Sequence, residues 1–84
     1  MRKLPRLNGS SDIARSVEHS LDEYFRKLDG AQPHDIYEMV IGSVEKTLLR
    51  SILERTEGNQ TQAADILGLN RNTLRTKLHK HGIR

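Results

Sequence analysis

The stretch NQTQAADILGLNRNTLRTKLHK, residues 59–80, constrains the fold of this chain more than any other, because its punctuation calls for two short helices joined by a tight turn. Asn59 is a good N-cap, and Gln62 three residues on is placed to return the hydrogen bond in a variant of the capping box. Ala63, Ala64, Ile66 and Leu67 supply a compact apolar face. Gly68 follows where a helix needs a residue tolerant of positive φ in order to stop, and Leu69 anchors the turn. Asn70 caps a second helix whose Leu74 and Leu78, one turn apart, pack back on the first. Two helices that cross steeply after so short a turn come close together, which suits the small Ala63 and Ala64. The sequence therefore predicts a helix-turn-helix over 59–81.

The second of these helices leaves Arg71, Asn72, Arg75, Thr76, Lys77 and Lys80 exposed, with Asn70 and Thr73 at its start. That face carries donors and cations and no carboxylate. A solvated helix usually mixes signs, so a one-sign face fits insertion into the major groove of double-stranded DNA better than it fits an ordinary surface helix that happens to be basic.

At these residues the chain resembles a known family. GNQTQAADILGLNRNTLRTKLHKHGI is similar to the C-terminal segment of Fis, the bacterial factor for inversion stimulation, and to the DNA-binding domain that ends the NtrC-type activators. SLDEYFRKLDG and DIYEMVIGSVEKTLLRSIL resemble Fis specifically, so the likeness covers about residues 13–84. It implies a dimeric DNA-binding and DNA-bending protein of the bacterial nucleoid, acting in transcription regulation. By position, it implies base reading by Asn70 and Arg71 at the start of the recognition helix, and clamping of the DNA backbone by Asn59, Thr61, Thr73, Arg75 and Lys77. Lys80 continues the basic face. Gln62 and Thr76 stand where enteric Fis has basic residues, and Asn72 replaces a glycine, so fewer phosphates are expected to be neutralised. Fis-like proteins hold their two recognition helices closer than one turn of straight B-DNA, about 34–36 Å, so both enter successive major grooves only if the duplex bends. The N-terminal region of enteric Fis is longer and forms a β-hairpin that touches the DNA invertase. Residues 1–11 here show no strand alternation and read as a disordered basic arm.

Length and charge set further bounds. Eighty-four residues make one domain, and a domain this small buries only about 60–65% of its chain surface, which favours a partner subunit. With no Cys there is neither a disulfide framework nor a thiolate metal site, as suits a reducing cytoplasm. No apolar run approaches the roughly 18 residues of a membrane span, and residues 1–9 are too short and polar for a signal peptide. The net charge of +3 hides an asymmetry: residues 1–10 carry three bases and no acid, residues 59–84 carry five bases against Asp65 alone, and residues 11–58 carry ten acids against six bases. Cations at the ends and an acidic scaffold between them are expected where one surface meets a polyanion.

That scaffold reads as two long helices, which makes the chain all-α with four helices. The first, over 12–28, presents Ile13, Val17, Leu21, Tyr24 and Leu28 as one stripe with Phe25 beside it. Asp29, Gly30 and Pro33 break it. The second, over 35–57, is about 34 Å long at 1.5 Å per residue and is expected to end at Gly58 as the C′ glycine. Its apolar residues occupy two sides. Ile36, Tyr37, Val40, Ile41, Val44, Leu48 and Ile52 fill one, while Met39, Gly42, Leu49 and Leu53 step by three, seven and four along the spacing of a packing seam. A two-faced helix in so small a protein predicts an intertwined homodimer built from residues 12–57, with Met39, Gly42, Leu49 and Leu53 at the interface. Gly42, about 1 kcal/mol worse than Ala inside a helix, fits close helix approach. The alternative is a monomer in which this helix is the central core helix, touched by the first helix on one side and by the C-terminal helices on the other.

Catalysis has little to build on. The histidines, at 19, 34, 79 and 81, are scattered; His79 and His81 do not share a helical face, so no zinc pair is expected, and near phosphates they read as weak, pH-dependent cation donors. Asp22 and Glu23 lie side by side rather than across a cleft, and no nucleotide-binding glycine loop occurs. No enzyme activity, metal, cofactor or small-molecule ligand is expected. Beside the Fis-type reading stand two others: an NtrC-type module that regulates single promoters, and a helical interaction module whose basic face meets an acidic partner or RNA.

Overall fold

The computed structural model describes Pro5 and residues 10–84, and within them the chain forms four α-helices: α1 (Ser10–Lys27), α2 (Ile36–Arg55), α3 (Gln60–Leu67) and α4 (Arg71–Lys80). The expectation of a disordered arm over residues 1–9 lies outside the described residues, Pro5 apart. Ser10 and Ser11, expected in the arm, already belong to α1. Among the described residues no helix is long and apolar enough to cross a membrane. The chain divides into two units, Met1–Asp35 and Ile36–Arg84.

In the first unit α1 carries its stripe as expected, with Val17, Leu21, Tyr24 and Leu28 half-buried and Ile13 and Phe25 exposed. Tyr24 and Phe25 pack edge to face, ring centroids 5.5 Å apart. Ion pairs one turn apart, Asp12 with Arg15 and Glu23 with Arg26, line the wet side. Beyond Lys27 the backbone turns through positive φ at Asp29 and Gly30, and the Tyr24 hydroxyl accepts a hydrogen bond from the His34 N–H at 3.3 Å. His34 and Asp35 form a solvated pair, Nδ1 to Oδ2 2.9 Å.

In the second unit the core is small. Leu49 and Leu53 of α2, Ala63 and Ala64 of α3, and Leu74 and Leu78 of α4 are buried together, with Ile52, Leu67, Leu69 and Ile83 packed around them. This corrects the seam read along α2. Leu49 (1% exposed) and Leu53 (6%), expected between subunits, are instead covered by the chain's own helix-turn-helix. The periodicity of a seam was present, and the partner in its C-terminal half is α3 and α4. Met39, on the same line but further up the helix, stays exposed, and a Cβ added at Gly42 would meet nothing within 4 Å. Along another side of α2, Tyr37 (74% exposed), Ile41, Val44 and Leu48 step by four, three and four and are exposed among the described residues.

Candidate nucleic-acid interface

Three chain reversals in the second unit repeat one hydrogen-bond pattern, in which the N–H five residues on from a helical carbonyl closes the last turn. After α2 the Gly58 N–H donates to the Leu53 carbonyl at 2.9 Å and Glu57 N–H to Glu54 at 3.2 Å. After α3, Leu69 donates to Ala64 at 2.9 Å and Gly68 to Asp65 at 3.2 Å, and after α4, Ile83 donates to Leu78 at 2.9 Å and Gly82 to His79 at 3.1 Å. These are Schellman caps, which need a left-handed residue at C′. Gly68 (φ 74°) and Gly82 (φ 67°) fill that place in the second and third. In the first it falls to Glu57 (φ 53°), and Gly58, expected there, is the residue after it, also at positive φ (81°). At the caps after α3 and α4 the next residue is apolar, Leu69 and Ile83, and each packs on the core, so each reversal is anchored as well as hydrogen-bonded.

The new helices start on asparagine caps. Asn59 Oδ1 accepts from the Gln62 N–H at 3.0 Å, and Asn70 Oδ1 from the Asn72 N–H at 2.8 Å. Cap, short helix, glycine turn and second cap thus hold α4 at a fixed angle on the core.

The faces of α4 follow from its buried line. At 100° per residue, positions two away from Leu74 and Leu78 lie 200° round, on the far side, so Asn72, Thr76 and Lys80 point away from the core. Arg71 and Arg75 flank that line and are exposed. Neither arginine forms an ion pair among the described residues. The lysines behave differently. Lys77 Nζ lies 2.7 Å from Glu45 Oε2 and Lys80 Nζ 3.6 Å from Glu38 Oε2, both acids belonging to α2. Glu45 also meets His81 Nε2 at 2.8 Å through its other oxygen, and the His81 side chain is only 9% exposed. The hydrogen bond from Lys77, then that from His81, holds the Glu45 carboxyl below the usual carboxylate range. Lys77 and His81, four residues apart, are therefore stapled to α2 by one carboxylate.

Asn59, Thr61, Asn70, Arg71, Thr73, Arg75 and Lys80 are all exposed, the first two at the start of α3 and the rest at α4 or its cap. Lys77 is half-buried and engaged with Glu45. His81, expected from sequence to be a weak cation donor near phosphate, instead meets Glu45; His79 remains exposed. An open depression between the start of α3 and α4 brings Gln60, Asn72, Arg75, Thr76 and His79 together over Leu78 and Ile83. Gln60 and Glu45 were missed by sequence reasoning. Gln60 had a signal, the position directly after the Asn59 cap; Glu45 had none, since its partners lie 32 and 36 residues away.

Residues 41–81 match the model of the bacterial regulatory proteins of the Fis family. A Fis-like DNA-binding protein of Ralstonia nicotianae is 49% identical over 71 residues, covering 84% of this chain and 92% of that protein. The chain belongs to the Fis family. A Fis-like DNA-binding protein of Neisseria meningitidis is 47% identical over 72 residues (86% of this chain, 91% of the relative), and the DNA-binding protein Fis of Haemophilus influenzae is 46% identical over 74 residues (88% and 75%). The likeness thus runs through α1 and α2 as well as the helix-turn-helix, which separates this Fis-family chain from a match to a helix-turn-helix alone.

Proposed function

We propose that this Fis-family chain binds double-stranded DNA as a homodimer, bends it, and acts through loose, degenerate sites in transcription regulation and nucleoid organisation. The observation that carries DNA binding is the far side of α4, where Arg71 and Arg75, in no ion pair among the described residues, stand beside Asn72 and Thr76 while the acids Glu38 and Glu45 are on α2. A groove-entering helix needs that division, because a carboxylate on the leading face would meet phosphate. The dimer is supported by the exposed stripe Tyr37, Ile41, Val44 and Leu48, whose four-three-four spacing is that of a helix–helix seam, with Met39 exposed nearby and nothing among the described residues within 4 Å of a Cβ at Gly42. Arg71, at the first turn of α4, reads base edges; Asn59, Thr61, Thr73 and Arg75 clamp the backbone.

Sedimentation at micromolar concentration should show twice the chain mass, and gel shifts on random duplex, one defined promoter and RNA should favour duplex of any sequence with reduced mobility for centrally placed sites. A monomer that shifts RNA as well as duplex would overturn the reading. Binding confined to the promoter would favour the NtrC-type alternative.

A further inference from the structure

Resting on that reading of α4, we infer that Asn72 is a second specificity-determining residue, reading adenine beside the guanine read by Arg71. The leading line of α4 consists of Asn72, Thr76 and Lys80, and two of these are committed elsewhere. The Thr76 hydroxyl donates to the Asn72 carbonyl at 3.0 Å, folded back on its own helix, and Lys80, at the far end of α4 from the entering turn, is placed for phosphate rather than for a base. Asn70, one residue before the helix, spends its acceptor oxygen on the Asn72 N–H. The hydrogen bonds of Asn72 itself use only its backbone N–H and C=O, so its side-chain amide keeps both a donor and an acceptor uncommitted among the described residues.

A side-by-side donor and acceptor on one planar group matches adenine N7 and N6 in the major groove, whereas guanine offers two acceptors there and suits a guanidinium. Asn72 stands in the first turn, at the part of the helix that enters deepest, and its backbone is fixed by the Asn70 cap, so the amide is presented at a set height. Consecutive Cα atoms are about 3.8 Å apart and base pairs about 3.4 Å, which places the adenine about one or two base pairs from the guanine contacted by Arg71.

Selection from a randomised duplex pool with the full chain tests this. The parent should enrich guanine and a nearby adenine in each half-site. Asn72→Ala should lose the adenine, by about 5- to 150-fold in discrimination per half-site, while keeping the guanine and its affinity for random duplex within about twofold. Asn72→Arg should replace adenine by guanine at that position. Retention of the same adenine by either variant, or a parent that enriches guanine alone, would overturn the assignment and leave DNA binding intact. A uniform loss of affinity for every sequence in Asn72→Ala would make Asn72 a backbone contact and overturn it too. Failure of the parent to bind any duplex would instead remove the underlying reading.

Discussion

Glu45 is the residue on which the placement of α4 most depends after its leucines, because one carboxylate holds two side chains of that helix against α2. Its pKa is lowered by the Lys77 and His81 hydrogen bonds, so the folded state binds this proton more weakly than the unfolded chain. The resulting stability is fully present above the unfolded carboxylate value, about 4.3, and is lost as pH falls below it through the folded value. Thermal melts between neutral pH and about pH 3 should fall more steeply for the parent than for Glu45→Gln; equal slopes would show that the staple contributes nothing in solution. The two arginines of α4 separate in the same residue-level way. Arg71→Ala should erase the guanine preference, a contact worth about 1–3 kcal/mol, and retain most nonspecific affinity, whereas Arg75→Ala, one turn further from the groove floor, should weaken all sequences alike. If a randomised pool yields the same guanines with the Arg71 variant, base reading lies elsewhere. Asn59, Asn70 and Gly68 were legible in the sequence because each acts within a few residues of its own position. Glu45 was illegible because nothing local distinguishes it from the other acids of an acidic helix.

Among the elements, α3 and α4 were readable almost to the residue, since caps and glycine turns are local chemistry, and α2 was readable as a helix but not as an arrangement. Its apolar residues announce two contact lines without saying which one meets the same chain. Leu49 and Leu53 go to the chain's own core because Ala63 and Ala64 let α3 lie close enough for them to reach Leu74 and Leu78. The two lines can now be tested separately. Leu49→Asp buries an unpaired charge in a core of few large side chains and should unfold the second unit, seen as loss of helical circular dichroism and of all DNA binding. Val44→Asp lies on the exposed stripe and, if the proposed dimer forms there, should leave each chain folded while halving the sedimenting mass. A Leu49 variant that stays folded and becomes monomeric would restore that residue to the interface between subunits.

For the whole molecule the quantity that matters is how many cations reach phosphate. With Arg71 given to a base, the α4 cations Arg75, Lys77 and Lys80 give six phosphate contacts in the proposed dimer, and if Lys77 and Lys80 stay with Glu45 and Glu38 only the two Arg75 side chains remain. With a slope of about 0.9 per phosphate, raising salt from about 50 to 200 mM should cost about 10³ in affinity in the first case and about tenfold in the second. The intramolecular pairs are not equal: Glu45 to Lys77 is short and half-buried, while Glu38 to Lys80 is longer and between exposed side chains, so water competes for it. Lys80 should therefore leave Glu38 for phosphate on binding, and Lys77 should stay behind. Glu38→Gln then raises affinity with little change in salt slope, whereas Glu45→Gln releases Lys77 and steepens the slope by up to about one unit per subunit. Fluorescence anisotropy on a random duplex across that salt range measures all three. A flat response in the parent would mean that the basic face of α4 is not the contact surface, and equal slopes for parent and Glu45→Gln would mean that Lys77 already reaches the backbone despite its carboxylate.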